Sequence, residues 1–142
     1  MPEVVEVTMD LTNQKVRFSG TAGSNPAILC DYSPPLGDGM GYTGLQLLLM
    51  SLAACSATSV VALLKKMRKS LTGFHVDAKG LRREEHPTSF ESISLDFTVN
   101  SPDAGEADVR KVIQLSEESV CPVWAMLKNS VEIKTEFRII KD

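Results

Sequence analysis

The chain has 142 residues, of which 43% are hydrophobic and 23% are charged, which is enough for one hydrophobic core. We therefore expect a single domain over residues 1–142, with a second small lobe as the alternative. The net charge of −3 and the sequence pI near 5.4 argue against binding nucleic acid through its phosphates. The short basic run at residues 65–69 is interpreted as the solvated end of a helix.

The N-terminal region predicts a meander of three short strands. Alternating valines indicate the first strand over residues 3–9, and similar patterns predict strands over residues 15–18 and 27–30. Glycine and proline are too frequent in residues 33–41 for regular structure, so this segment is expected to be a loop.

The next segment predicts one long helix over about residues 43–69. Residues 45–64 contain no ionisable side chain except one thiol, and a run of about twenty such residues could cross a bilayer. Serine, threonine and glutamine in this run lower its hydrophobicity, so we prefer a buried central helix and expect no membrane partner. A helix that is apolar all round must be covered on every side, which in so short a chain indicates dimerisation.

The second half predicts a hairpin, two helices and a last strand. Alternating apolar residues give strands over residues 73–83 and 89–99, and Ser101, Pro102 and Asp103 indicate the start of a helix reaching about Glu117. A shorter helix over residues 122–128 and a strand over residues 131–140 follow. This order predicts an α+β fold with an antiparallel sheet packed on helices.

Two cysteines are the candidate catalytic residues. Cys55 lies in the middle of the apolar helix, and Cys121, which is 66 residues later, precedes Pro122. Proline favours the first turn of a helix, so Cys121 is predicted to cap that helix, where free N–H groups and the helix dipole favour a thiolate. The pair would form a dithiol centre if the fold brings the two thiols together.

The third cysteine and the two histidines are not expected to take part in the chemistry. Three cysteines is an odd number, and the N-terminus does not resemble a signal peptide, so we expect a reducing, cytoplasmic environment. Cys30 has no motif around it and is expected to pack in a core or strand. His75 and His86 have no ligand partners at metal spacing, so we expect neither a metal nor another cofactor.

Several motifs together are similar to those of one protein family. Residues 48–56 (LLMSLAACS), the CPV motif at residues 121–123 and the acidic helix end at residues 115–119 resemble the OsmC/Ohr family of osmotically induced and organic-hydroperoxide-resistance proteins. Residues 82–97, which begin with RREEHP, resemble its YhfA-type branch in particular. The resemblance extends from about residue 44 to the C-terminus.

The resemblance implies an OsmC-like intertwined homodimer in which N-terminal strands of one subunit join the sheet of the other around central helices. It also implies thiol peroxidase chemistry, in which Cys55 attacks the peroxide and Cys121 resolves the sulfenic acid as a disulfide. An external dithiol reductant would then restore both thiols. Trp124, Met126 and Leu127 would belong to the helix that lines the site, where an apolar wall suits a small hydrophobic peroxide or ligand.

The sequence departs from the family pattern at the activating charges. Active members are expected to carry an arginine in the N-terminal strands and a glutamate ten residues before the first cysteine, but that position is Leu45, and residues 20–31 contain no arginine. Gln46 supplies no charge, and Arg17 is expected to be a strand-surface residue. Without a cation, burial should leave Cys55 largely protonated, unless Arg82 or Arg83 takes the missing role.

Two functions therefore compete. The leading one is thiol-dependent reduction of organic hydroperoxides or related electrophiles through Cys55 and Cys121. The alternative is a non-enzymatic or weakly active stress protein that binds a small hydrophobic ligand in the same cleft.

Overall fold

The computed structural model describes residues 2–142, which form an α+β fold with the predicted order of strands and helices. Its elements are β1 (Thr8–Leu11), β2 (Phe18–Thr21), β3 (Ile28–Cys30), α1 (Gly44–Lys66), β4 (Gly73–Arg82), β5 (Phe90–Asn100), α2 (Glu106–Leu115), a π-helical turn (Ser116–Val120), α3 (Pro122–Leu127) and β6 (Glu132–Ile140). They belong to two compact units, an N-terminal unit that ends at residue 48 and a C-terminal unit of residues 49–142.

A buried aspartate organises the loop of the N-terminal unit. The carboxylate of Asp31 accepts hydrogen bonds from the backbone N–H groups of Tyr32 at 2.8 Å, Met40 at 3.1 Å and Asp38 at 3.3 Å. Arg17 lies beside it, with Nε 3.6 Å from the Asp31 carboxylate and Nη2 3.2 Å from Asp38. Burial would raise the pKa of Asp31, but these N–H donors and the guanidinium together hold it below its ordinary value.

The first two strands of this unit are shifted from their predicted positions. β1, β2 and β3 form an antiparallel sheet, but β1 begins at Thr8 because β2 offers partners only for residues 8–11. Residues 3–7, which the alternating pattern placed in a strand, are exposed. β2 begins at Phe18 because the Asn13 side chain accepts the N–H groups of Lys15 and Arg17, which holds residues 13–17 in a turn.

The long helix α1 has a defined cap at each end. Thr43 and Gln46 form a capping box, in which Gln46 N–H donates to Thr43 Oγ1 at 3.2 Å and Thr43 N–H donates to Gln46 Oε1 at 2.9 Å. At the other end, Arg68 has a φ of 63°, and Lys69 N–H reaches back to the carbonyl of Leu64 at 3.0 Å. This is a Schellman motif, and it ends the helix near the predicted residue.

One face of α1 is buried in the C-terminal unit. Leu52, Val60 and Leu64 are fully buried, whereas Ala54 and Thr58 on the opposite face are exposed, so the C-terminal unit does not itself cover the helix on every side. By length and hydropathy α1 could cross a membrane, with a mean hydropathy of 2.2 over its most apolar window, of which 28% is buried. The core helix of a globular protein passes the same test, so one such helix is weak support for a membrane span.

The C-terminal unit has a three-stranded sheet with β5 in the middle. Its strand order is β4-β5-β6, and the inward side chains of β5 are at most 2% exposed. They are the residues that the alternating pattern predicted: Ile93, Leu95, Phe97 and Val99. With α1 and α2 they form the core on which the candidate site is built.

Two details of this unit correct the sequence prediction. The sheet is mixed and not purely antiparallel, because α2, the π-helical turn and α3 form a crossover that brings β6 back parallel to β5. Helix α2 begins at Glu106, several residues later than expected, because Ser101 Oγ accepts the N–H groups of Asp103 and Ala104 in a turn. The N-terminus of α2 is instead fixed by Asp108, which accepts the Gly105 N–H at 2.9 Å.

Candidate functional site

Cys121 caps helix α3, as the sequence predicted. Its side chain is 2% exposed, and Sγ accepts the backbone N–H of Trp124 at 3.4 Å, with Pro122 in the first turn. The preceding π-helical turn leads directly into this cap, since Cys121 N–H donates to the carbonyl of Ser116 at 2.9 Å. The thiol is thus held at the entrance of the helix by its own backbone.

The structure places Cys55 next to Cys121. Cys55 is half-buried on α1 and packs against the core cluster that contains Cys121, and its thiol is close enough to the Cys121 thiol to interact with it. All three cysteines of the chain are free thiols. The proximity that the sequence left open is therefore present, and a thiol of intermediate exposure faces a thiol that is almost fully buried.

The surroundings of Cys55 favour its protonated form. Burial raises the pKa of Cys55, the backbone N–H of Val123 lowers it in part, and the neighbouring Cys121 thiol raises it further. Among residues 2–142, no basic side chain contributes to this pKa. The raised pKa agrees with the expectation that Cys55 lacks an activating cation.

The arginines that could have supplied a charge have other partners. Arg82 Nε donates to the carbonyl of Thr88 at 2.8 Å, and its guanidinium also bonds the Thr88 hydroxyl. Arg83 donates to the carbonyl of Glu85 at 3.0 Å. Arg17 is not a strand-surface residue as expected, because it is half-buried and paired with Asp31 and Asp38.

Leu45, which occupies the position of the missing glutamate, and its neighbour Gln46 both belong to the start of α1. Leu45 lies in the first turn of α1, and Gln46 is used in the capping box with Thr43. Neither residue brings charge to the thiols.

A buried serine completes the site, and sequence reasoning missed it. Ser56 is 1% exposed, and its Oγ lies 3.7 Å from Cys121 Sγ. In the sequence it counted only as a residue that lowers the hydrophobicity of α1. Its place directly after Cys55 was the available signal, because adjacent helix residues project about 100° apart and can border the same neighbouring element.

An acidic side chain lies in the π-helical turn. Glu117 Oε1 accepts the hydroxyl of Thr135 at 2.9 Å. Burial raises the pKa of Glu117, the Thr135 hydrogen bond lowers it in part, and neighbouring Glu118 raises it. In the same turn, Ser116 Oγ is buried and has no hydrogen-bond partner among the described residues.

The remaining candidate residues divide between core and surface. Trp124 and Leu127 pack in or against the core, whereas Met126 is 70% exposed.

Cys30 is buried in β3, as predicted, and borders an apolar cavity of about 310 Å³ in the N-terminal unit. His75 Nε2 lies 3.1 Å from Asp77 on the exposed sheet face, and no cluster suited to a metal ion is found among residues 2–142.

Comparisons with known proteins agree on one family. Residues 37–136 match the family model described as OsmC-like protein. The chain is 33% identical over 123 residues to protein YhfA of Escherichia coli K12, a match that covers 87% of this chain and 90% of YhfA.

Solved structures share the fold over nearly the whole chain. The crystal structure of a hypothetical protein from Aquifex aeolicus VF5 has a TM-score of 0.85 and 30% identity, with 97% of each chain covered. The organic hydroperoxide resistance protein OhrB of Bacillus subtilis has a TM-score of 0.66 at 16% identity, with 96% of this chain and 98% of OhrB covered, and shows the fold alone. From these matches and the cysteine motifs, the chain belongs to the OsmC-like protein family.

Proposed function

We propose that the protein reduces organic hydroperoxides or related electrophiles through Cys55 and Cys121. The observation that carries this proposal is the proximity of the two thiols, one of intermediate exposure and one buried at a helix cap. The family supports it, since OhrB of Bacillus subtilis, which shares the fold, is named an organic hydroperoxide resistance protein.

The proposed reaction has three balanced steps. The Cys55 thiolate attacks the outer peroxide oxygen, the O–O bond breaks, and the alkoxide leaves as an alcohol after taking a proton, which leaves a sulfenic acid on Cys55. The Cys121 thiolate then attacks that sulfur, and the hydroxyl group leaves as water while the disulfide forms. An external dithiol reduces the disulfide and is itself oxidised to a disulfide. No cofactor takes part.

The exposures of the two thiols suit these roles. Cys55 is the more exposed cysteine, so it can meet a dissolved peroxide, whereas Cys121 is 2% exposed and lies close to Cys55. The apolar core around Cys55 favours an alkyl peroxide over a small polar one.

The disulfide can be tested directly by mass spectrometry. One equivalent of an alkyl hydroperoxide should produce a product lighter by two hydrogen atoms, whose peptides link Cys55 to Cys121, and a reductant should reverse it. Cys30→Ser should behave like the wild type, because Cys30 lies in the N-terminal sheet. Oxidation of Cys30 alone, or of Cys55 directly to sulfinic acid with Cys121 unchanged, would contradict the proposal.

One observation favours the alternative, a stress-associated protein that binds a small hydrophobic ligand. The Cys55 thiol has a raised pKa and no cation contributes to it, which is a poor arrangement for a fast nucleophile. An absence of Cys55-dependent peroxide consumption at every pH would favour this function over the enzymatic one.

We also propose that the chain acts as a homodimer, with one domain per chain and N-terminal strands that pair with a second copy. In the single chain, Val4, Val5 and Val7 are 77%, 82% and 69% exposed, and the outer face of α1 is uncovered. A second copy that covers both should bury more than about 1,600 Å². Sedimentation should therefore find a dimer at micromolar concentration, and a folded monomer there would contradict this assembly.

The odd number of free thiols supports a reducing, cytoplasmic location.

A further inference from the structure

Ser56 has an unusual hydrogen-bond partner for a buried serine. Among the described residues, its Oγ forms one hydrogen bond, with Cys121 Sγ at 3.7 Å. Ser59 on the same helix behaves differently, because its Oγ donates to the carbonyl of Cys55 at 3.0 Å. That bond is the usual way in which a helical serine satisfies its hydroxyl.

A neutral thiol is a poor partner for such a hydroxyl. Burying a hydroxyl costs free energy unless a good hydrogen bond compensates, and sulfur in a thiol is a weak donor and a weak acceptor. A thiolate is a much better acceptor, because hydrogen bonds to charged groups are about twice as strong as neutral ones. The Ser56 hydroxyl therefore gains most from this contact when Cys121 is ionised.

We propose that Ser56 is a positioning residue for Cys121, which donates its hydroxyl to the Cys121 thiolate alongside the Trp124 N–H. The proposal rests on the dithiol function above. The two donors reach Sγ from different elements, α1 and the first turn of α3, so they hold the sulfur in place as well as favouring its charge. The titratable group that faces Cys121 from α1 is the Cys55 thiol.

This contact acts in two steps of the cycle. During resolution, it supplies Cys121 as a thiolate that attacks the Cys55 sulfenic acid. During reduction, a reductant thiolate attacks Cys55 Sγ, the disulfide bond breaks, and its electron pair leaves on Cys121, where Ser56 donates to the new thiolate. A stabilised thiolate leaves faster, so the mixed disulfide with the reductant forms on Cys55.

A titration of Cys121 as the single cysteine tests the contact without any peroxide. In a Cys30→Ser, Cys55→Ser background, the ultraviolet absorbance of the thiolate is followed against pH, with and without Ser56→Ala. Loss of one hydrogen bond to the charged sulfur should move the midpoint upward by about one pH unit. Ser56→Thr, which keeps a hydroxyl, should restore the midpoint, and the matched control Ser59→Ala should leave it unchanged. Equal midpoints with and without Ser56→Ala would overturn the proposal.

A second measurement uses all three cysteines of the wild type. The Cys55 to Cys121 disulfide is formed with diamide and then treated with one equivalent of a small thiol while released thiols are alkylated. We expect the adduct on Cys55 and alkylation on Cys121 in both proteins, because Cys121 is 2% exposed, but a several-fold slower release of Cys121 in Ser56→Ala. Equal release rates in both proteins would overturn the role in reduction. Neither assay needs peroxidase activity, so failure of the peroxidase function would appear separately, as an absence of peroxide consumption.

Discussion

Oxidation of Cys55 by an alkyl hydroperoxide should depend steeply on pH. An ordinary thiol, with a pKa near 8.5, is only about 3% ionised at pH 7. Burial and the adjacent Cys121 raise the pKa of Cys55, so its thiolate fraction is lower still. Since the thiolate is the nucleophile, the rate should rise about tenfold for each pH unit, or about a hundredfold between pH 6 and pH 8.

The variant Cys121→Ser tests the physical cause of this slope. Serine retains an oxygen that can accept the Trp124 N–H, so helix α3 keeps its cap, but the thiol that raises the pKa of Cys55 is removed. Each unit by which that pKa falls gives about tenfold more thiolate at neutral pH. A thiolate of lower pKa is less nucleophilic, so the net gain in rate is about threefold per unit.

Stopped-flow measurement of the first oxidation step, with sulfenic acid trapped by dimedone, checks both expectations. Cys121→Ser should oxidise faster than the wild type near pH 7 and accumulate the dimedone adduct, because nothing resolves its sulfenic acid. Cys55→Ser should give no adduct at this position. A wild-type rate that is flat down to pH 6 would refute the reasoning, since a nearby cation would then have to activate Cys55.

The other predictions concern stability and are checked by chemical denaturation. Glu117→Gln should stabilise the fold by roughly 0.5 kcal/mol at pH 7 and by nothing at low pH, because a raised pKa means that the charged carboxylate opposes folding above it; an equal effect at both pH values would argue against this. Asp31→Asn should destabilise the fold at pH 7, with a difference that shrinks as the pH falls through the lowered pKa of Asp31. Leu52→Ala should lower the free energy of unfolding by about 3 kcal/mol, because Leu52 is fully buried. A loss below about 1 kcal/mol would contradict this and would mean that neighbouring side chains fill the cavity.

Much of the fold was predictable because its signals are local. The alternation in β5 predicts which of its side chains face the core, and the structure buries them. The helical spacing of apolar residues in α2 predicts a stripe of Val109, Val112, Ile113 and Leu115, of which the first three are buried and Leu115 is 36% exposed. The cap at Cys121 was equally local, since a cysteine followed by proline at the start of a helix needs no long-range information.

The features that the sequence did not reveal depend on partners elsewhere in the chain. Residues 3–7 have the alternation of a strand but lack a partner strand among residues 2–142, and the parallel pairing of β6 depends on a crossover. The contact between Ser56 and Cys121 joins residues 65 positions apart. No periodicity in one segment reports such a contact.

The π-helical turn determines which side chain at the end of α2 points inward. Val109, Val112, Ile113 and Ser116 follow the helical period of the buried face, and an uninterrupted α-helix would next turn residue 120 to the interior. The i to i+5 turn delays that rotation by one residue, about 100°, so Val120 is 46% exposed and Cys121 is 2% exposed. The register of the thiol therefore depends on one added residue: α-helical bonding of the full-length segment would present Val120 in place of the thiol, whereas deletion of Ser119 would convert the turn to an α-turn and keep Cys121 facing inward.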